Sequence, residues 1–270
     1  MSTPHTNTYV LGHDGAELER LERQARLFAE PTEAGLRQAG LRSGMRVLDL
    51  GCGVGDVSLA AAAIVGPDGG VTGIDMSADA VETARRRFAG LGIGWARCEV
   101  GDIDGLDPAG YDAVVGRFIL MHLPRPSDLL ARLRAACSPG TVLAFLEMDV
   151  TSASITPAMP LFSAGLDAIV GTYRAGSVEP DMGSRLYGAF RAAGLAPSLK
   201  AWCHVVGDDA PDAFDFLSRT VSSLAPAIAA AGLMTAELEP STYRDRLLAA
   251  AAEGHHCVQF PRFVCASART

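Results

Sequence analysis

Apolar positions along this chain change period, and the changes mark its elements. Near the start, Leu18, Leu21, Ala25 and Phe28 recur at helical spacing behind the capping-box-like pair Asp14 and Glu17, and the pattern stops at Pro31. An N-terminal helical cap over residues 1–40 is expected. Apolar runs of strand length then alternate with amphipathic stretches: strand Arg46 to Leu50, helix Asp56 to Val65, strand Val71 to Asp75, helix Ala78 to Gly90, strand Gly94 to Val100, strand Tyr111 to Val115, helix Ser127 to Cys137 and strand Val142 to Met148. That alternation, punctuated by Gly66-Pro-Asp-Gly-Gly70 and Ser138-Pro-Gly140, predicts an α/β fold with a doubly wound, mostly parallel sheet.

The second half is less regular. Leu161 to Arg174 and Asp181 to Gly194 read as helices, and Ser198 to Val206 and Cys257 to Ala266 as strands. Between those strands lies Gly207 to His256, a connection of roughly fifty residues, far longer than an ordinary loop, with helical patterns at Pro211 to Ala230 and Ser241 to Ala252. Phe214, Phe216, Leu217, Leu224 and Met234 give it more apolar surface than a solvated connection needs, so it is expected to be a helical substrate lid. With no repeat and no low-complexity linker, residues 1–270 read as one domain: a cap, a core over 41–150, and a substrate-side half over 151–270 with its lid at about 207–256.

The most informative stretch is Val47-Leu-Asp-Leu-Gly-Cys-Gly-Val-Gly55, followed a helix later by Gly73-Ile-Asp75. A buried strand ending in closely spaced glycines lets backbone amides approach a ligand, and an acid ending the next strand accepts the two hydroxyls of a ribose. A dinucleotide fingerprint would need glycine where Asp56 stands, and that side chain would crowd and repel a pyrophosphate. The spacing is instead Asp49-x-Gly51-x-Gly53-x-Gly55, with a carboxylate suited to a ligand carrying an ammonium and a sulfonium.

On these residues the chain resembles the class I S-adenosylmethionine-dependent methyltransferases, from about Met45 to Asp149. The resemblance implies a seven-stranded sheet closed by an antiparallel strand pair, and it implies roles. Gly51, Cys52 through its backbone, and Gly53 would approach the methionine portion and ribose, and Asp75 would bind the ribose hydroxyls with Met76 against the adenine. Gly101-Asp102-Ile103 would hold the adenine edge, although Asp102 also suits a turn cap and Asp104 and Asp107 compete for its role. After the fourth strand, Arg117 would contact the methionine carboxylate and His122 would approach the acceptor, with a structural histidine as the alternative. Tyr9, Arg23 and Gln24 are candidates for closing over the cofactor, although a solvated helix face explains the last two equally well. Glu147 and Asp149 lie at the carboxyl end of the fifth strand, where ligands of parallel sheets bind; His204, His255 and His256 are weaker candidates.

Composition narrows the chemistry. A net charge of −8 and the absence of a dense basic stripe argue against nucleic acid or an anionic membrane as partner, and Arg85-Arg86-Arg87 reads as a solvated helix face. No signal core opens the chain, and Cys52, Cys98, Cys137, Cys203, Cys257 and Cys265 are scattered without a CxxC pair, which together suggest reduced packing thiols and a cytoplasmic location. Nucleic-acid and amide-nitrogen members of the resembling family carry (Asn/Asp)-Pro-Pro-(Tyr/Phe) after the fourth strand; this chain has Gly116-Arg-Phe-Ile119, with no acidic cluster for magnesium. The expectation is metal-independent methylation of a small molecule of the quinone or natural-product kind, with His122 or Glu147 as base and a homo-oligomer possible. The alternative is a non-methylating cyclase or regulator that keeps the cofactor.

Overall fold

The structure, a computed structural model, describes residues 15–207 and 212–270, with the first helix's side chains described from Leu27 onward. In chain order the elements are α1 (Gly15–Ala39), β1 (Arg46–Leu50), α2 (Asp56–Val65), β2 (Gly70–Asp75), α3 (Ala78–Gly90), β3 (Ala96–Val100), β4 (Ala113–Arg117), α4 (Pro126–Ala136), β5 (Val142–Asp149), β6 (Ser154–Thr156), α5 (Pro160–Ala175), α6 (Met182–Ala192), β7 (Ser198–Trp202), β8 (Val205–Val206), α7 (Asp212–Ala230), α8 (Pro240–Ala252), β9 (Cys257–Gln259) and β10 (Arg262–Arg269). The chain divides into two compact units.

The larger unit takes Ala25–Asp149, Glu179–Cys203 and Arg262–Thr270. Its sheet has seven strands in the order β3-β2-β1-β4-β5-β10-β7. The first five are parallel, and β10 runs antiparallel to both of its neighbours. This is the expected doubly wound architecture with its antiparallel closing pair. Four of the five β1 residues and all eight of β5 are buried, as strands covered by helices on both faces require. The last residues of β1 stand between β2 and β4, Asp49 opposite Gly73 on one side and Val115 on the other.

Among the described residues the smaller unit gathers Val150–Val178 and His204–Pro261, with residues 15–24. Helices α5, α7 and α8 pack on one another, and a three-stranded antiparallel sheet has the order β6-β9-β8. Tyr243 is wholly buried, and its hydroxyl donates to the Leu161 carbonyl over 3.0 Å. Phe214, Leu217 and Leu224 are buried too, and Phe216 stacks at 6.0 Å on Phe260. Phe214, Leu217 and Leu224, three of the apolar residues that suggested a lid over 207–256, are core residues of a unit that also includes 150–178.

Two expected strands are split. Ser198 to Val206 breaks at Cys203 and His204 into β7 of the large sheet and β8 of the small one. Cys257 to Ala266 breaks at Pro261 into β9 and β10, because proline fixes its φ and offers no amide to a ladder. The fourth strand starts at Ala113, not Tyr111: the Asp112 carboxylate accepts the Arg46 amide over 2.8 Å and ends the ladder there. Among the described residues no helix is long and apolar enough to cross a membrane.

Candidate active site

Strand order reverses between β1 and β4, and the crevice outside their carboxyl ends is where doubly wound sheets take ligands. The turn after β1 is tied to β2: the amides of Gly51 and Cys52 both donate to the Ile74 carbonyl, over 2.8 and 3.0 Å. Its glycines all have positive φ, but they face different surroundings. A Cβ at Gly51 would strike Ile119 at 2.8 Å and one at Gly55 would strike Phe88 at 2.8 Å, whereas at Gly53 no atom of the described residues lies within 4 Å. Among the described residues Gly53 thus presents uncovered backbone.

Its amide donates to Asp75 Oδ2 over 2.8 Å, and Ser77 donates to Oδ1 over 2.8 Å. Each carboxylate oxygen is oriented by one amide and keeps acceptor capacity, which fits a vicinal diol. Met76 beside it is 72% exposed, an apolar side chain free to meet a flat ring.

Asp49 lies beneath the turn with no exposed surface. Its Oδ2 accepts from the Ser58 hydroxyl over 2.6 Å, and its Oδ1 has no hydrogen-bond partner among the described residues. Burial pushes its pKa up to about 7, against the Ser58 hydrogen bond and the Arg117 charge. A ligand ammonium would supply both the missing partner and the compensating charge, so this donor set fits the methionine end of S-adenosylmethionine.

Arg117 is less open than expected. Its guanidinium is 9% exposed, paired with Asp56 Oδ2 at 3.1 Å and bonded to Thr32 Oγ1 at 3.1 Å. The other Asp56 oxygen pairs with Arg87 at 2.8 Å, and Arg85 donates to the Cys98 carbonyl. Two residues of the run read as a solvated face therefore reach inward, to the glycine turn and to β3. Gly101 donates to the Asp75 carbonyl; Asp102 Oδ1 caps the 3-10 turn Ile103–Gly105 by accepting from Asp104 over 2.9 Å. Of its competitors, Asp104 pairs with Arg132 and Asp107 accepts from the Ala109 amide.

Beyond β4 the chain turns sharply. Phe118 adopts φ 56, rare for a residue with a side chain, held by its amide on the Leu146 carbonyl and by edge contacts with Phe28 and Phe263. The 3-10 turn Leu120–His122 follows, and Glu147 braces its start: Oε1 accepts from the amides of Ile119 and Leu120 over 3.0 and 2.7 Å. Glu147 has no exposed surface, and burial pushes its pKa up to about 8. Oε1 thus braces the turn, while Oε2 has no hydrogen-bond partner among the described residues. His122, half-buried on that turn, is held below the ordinary imidazole pKa by burial and is neutral at physiological pH. Asp149 is committed as well, accepting from Ser184 and from Arg262 at 2.7 Å.

Tyr9 lies outside the described residues. Arg23 and Gln24 fall on α1 ahead of its described side chains. His204, His255 and His256 belong to the smaller unit, His256 Nδ1 standing 3.0 Å from the Pro157 carbonyl. Ser58, Thr32 and Arg87 were not anticipated; the available signal was Ser58, the one hydroxyl on the buried face formed by Val57, Ala61, Ala62 and Val65. Among the described residues no cluster of His, Cys, Asp or Glu is placed to hold a metal ion.

Residues 41–169 match the family model of a methyltransferase domain. The chain is 38% identical over 116 residues, 42% of its length, to an uncharacterised 37.1 kDa protein in transposon TN4556 of Streptomyces fradiae, of which it covers 33%. It is 30% identical over 129 residues, 47% of its length, to the demethylmenaquinone methyltransferase of Staphylococcus aureus, of which it covers 50%. The chain thus spans between a third and a half of the curated relatives it matches. Its fold is that of a SAM-dependent methyltransferase from Aquifex aeolicus, with a TM-score of 0.52 at 21% identity, covering 72% of this chain and 93% of the other. The matched residues 41–169 hold the five parallel strands, the glycine turn and both the Asp49 and Asp75 carboxylates, so the likeness to a methyltransferase domain covers the part of the chain that carries the candidate site.

Proposed function

We propose that the chain transfers a methyl group from S-adenosylmethionine to a small-molecule acceptor of the quinol or natural-product kind. The observation that carries the reading is the pair of carboxylates at the turn: Asp75, its two oxygens set by the amides of Gly53 and Ser77, and Asp49, buried with one oxygen unpartnered among the described residues. The bound cofactor supplies a methyl on a cationic sulfur, transferable in line once the acceptor is aligned. Asp75 would hold the ribose, Asp49 the ammonium, and Met76, Asp102 and Ile103 the adenine. Arg117 would serve the methionine carboxylate through whatever donors its bonds to Asp56 and Thr32 leave over. His122 would take the proton from a hydroxyl or carbon acceptor, in the neutral form that burial favours.

A small acceptor is supported by the likeness to demethylmenaquinone methyltransferase and by Gly116-Arg-Phe-Ile119 where base-methylating members have their Pro-Pro motif. The net charge of −8 points the same way. Incubation with methyl-labelled cofactor and a panel of quinols, phenols, indoles and amines tests the reading by mass. Methylation confined to nucleic acid or protein would overturn it.

A further inference from the structure

Two sulfurs meet beneath the glycine turn. Cys52 Sγ donates to Cys98 Sγ across 3.5 Å, and the pair is 6% and 1% exposed. Gly73 makes room for them: it pairs in register with Cys98, and a Cβ on it would stand 2.8 Å from both sulfurs and 2.7 Å from Cys52 Cβ. Any side chain at 73 would part the two thiols. The hydrogen bond from Cys52, aided by the Arg85 guanidinium, holds the Cys98 thiol below its ordinary range, while the same bond and burial push Cys52 up. With the Arg85 guanidinium on its own carbonyl, Cys98 is the better attacking thiol of the pair.

We propose that Cys52 and Cys98 are a redox modification site, closing to a reversible disulfide in the presence of a hydroperoxide and thereby disabling the cofactor site. The Cys98 thiolate attacks the peroxide oxygen; the O–O bond breaks, an alcohol leaves, and Cys98 becomes a sulfenic acid. Cys52 then attacks the Cys98 sulfur, the S–S bond forms, the S–O bond breaks, and hydroxide departs as water with the Cys52 proton. Two thiols are oxidised and one hydroperoxide is reduced; a dithiol reverses the step.

The geometry says what moves. A disulfide is about 2.05 Å long, so the sulfurs must approach by about 1.5 Å. Cys98 is fixed in the β3 ladder, whereas Cys52 sits between Gly51 and Gly53 in a turn hung on the Ile74 carbonyl and Asp75. The turn yields, drawing the Gly53 amide off Asp75 and redirecting the carboxylate assigned to the ribose. Bound cofactor holds the same turn and slows the reaction.

The test uses the full chain with Cys203→Ser and Cys257→Ser, which remove the two exposed thiols. After hydrogen peroxide, peptide mapping is expected to show a Cys52–Cys98 link, formed more slowly with saturating S-adenosylhomocysteine. Calorimetry is expected to show at least about a tenfold loss of S-adenosylhomocysteine affinity, the scale of one lost charge-assisted hydrogen bond, recovered with dithiothreitol. Cys98→Val should keep the affinity and lose the sensitivity; if it does not fold, the link and the affinity measured without it still decide. A sulfinic acid in place of the link, or a link that leaves affinity unchanged, overturns the proposal.

Discussion

The hydroxyl of Ser58 donates to the buried carboxylate of Asp49 over 2.6 Å and is its sole hydrogen-bond donor among the described residues. Without it, nothing but the Arg117 charge opposes the desolvation that already lifts Asp49 to about 7. Ser58→Ala is therefore expected to raise Asp49 further and weaken S-adenosylhomocysteine binding at pH 7 by roughly three- to thirtyfold, about 0.5 to 2 kcal/mol. The loss should shrink as pH rises, because alkali restores the carboxylate. Calorimetry from pH 6 to 9 would show it, and a pH-independent loss would mean that Ser58 only packs.

In the wild type, binding of a ligand ammonium beside Asp49 must favour the ionised carboxyl. Cofactor binding near pH 7 is expected to release protons, and affinity is expected to climb as pH rises through about 7. Repeating the titration in buffers of different ionisation enthalpy reads the proton count directly. Proton uptake would place the ammonium elsewhere.

Glu147 has its folded pKa raised from an ordinary 4.5 to about 8 by burial. The protonated form is the one the fold prefers, so its contribution is complete below the ordinary value and is lost as pH rises from there through about 8. Glu147→Gln, which keeps an acceptor for Ile119 and Leu120, is expected to flatten the fall of thermal stability over that window. Glu147→Ala should destabilise at every pH, by roughly 2 to 4 kcal/mol for lost bonds and a cavity. If turnover of the Gln variant drops while its cofactor affinity stays, Glu147 is a base after all.

Asp75→Ala is expected to weaken cofactor binding by about 2 to 4 kcal/mol, two charge-assisted hydrogen bonds, with Asp75→Asn between it and the wild type. The sheet should survive, since Asp75 closes β2 at its carboxyl end. Unchanged affinity in both variants would remove the ribose from this carboxylate.

For a hydroxyl or carbon acceptor, His122→Ala is expected to cut turnover by roughly 10²- to 10⁴-fold and to flatten the acid limb of the pH profile. Activity should persist in EDTA. Restoration of a chelated enzyme by magnesium would show that the turn after β4 binds metal in the working complex.

The parallel half of the sheet was legible because its period and punctuation are local: β1, α2, β2 and α3 lie where the pattern of apolar residues and glycines puts them. The positions of Gly53 and Asp75, in the turn after β1 and at the end of β2, were equally plain, since adjacent residues mark them. Ser58, Thr32 and Arg87 were not, because their partners stand 9, 85 and 31 positions away and only the fold brings them together. Glu147 shows the reverse case: its position on the fifth strand was legible, but its burial and the two amides it accepts are announced by no spacing.

The place of β10 sets an order of events. It lies between β5, more than a hundred residues upstream, and β7, and it pairs with both. The five parallel strands form their contacts through connections of a few tens of residues, whereas β7 has no sheet neighbour until β10 arrives. Distant pairing is slow to form. The sheet is thus expected to assemble in two stages, with β10 and β7 docking together last. In pulse-labelled exchange, amides of β7 should gain protection with those of β10 and after those of β1.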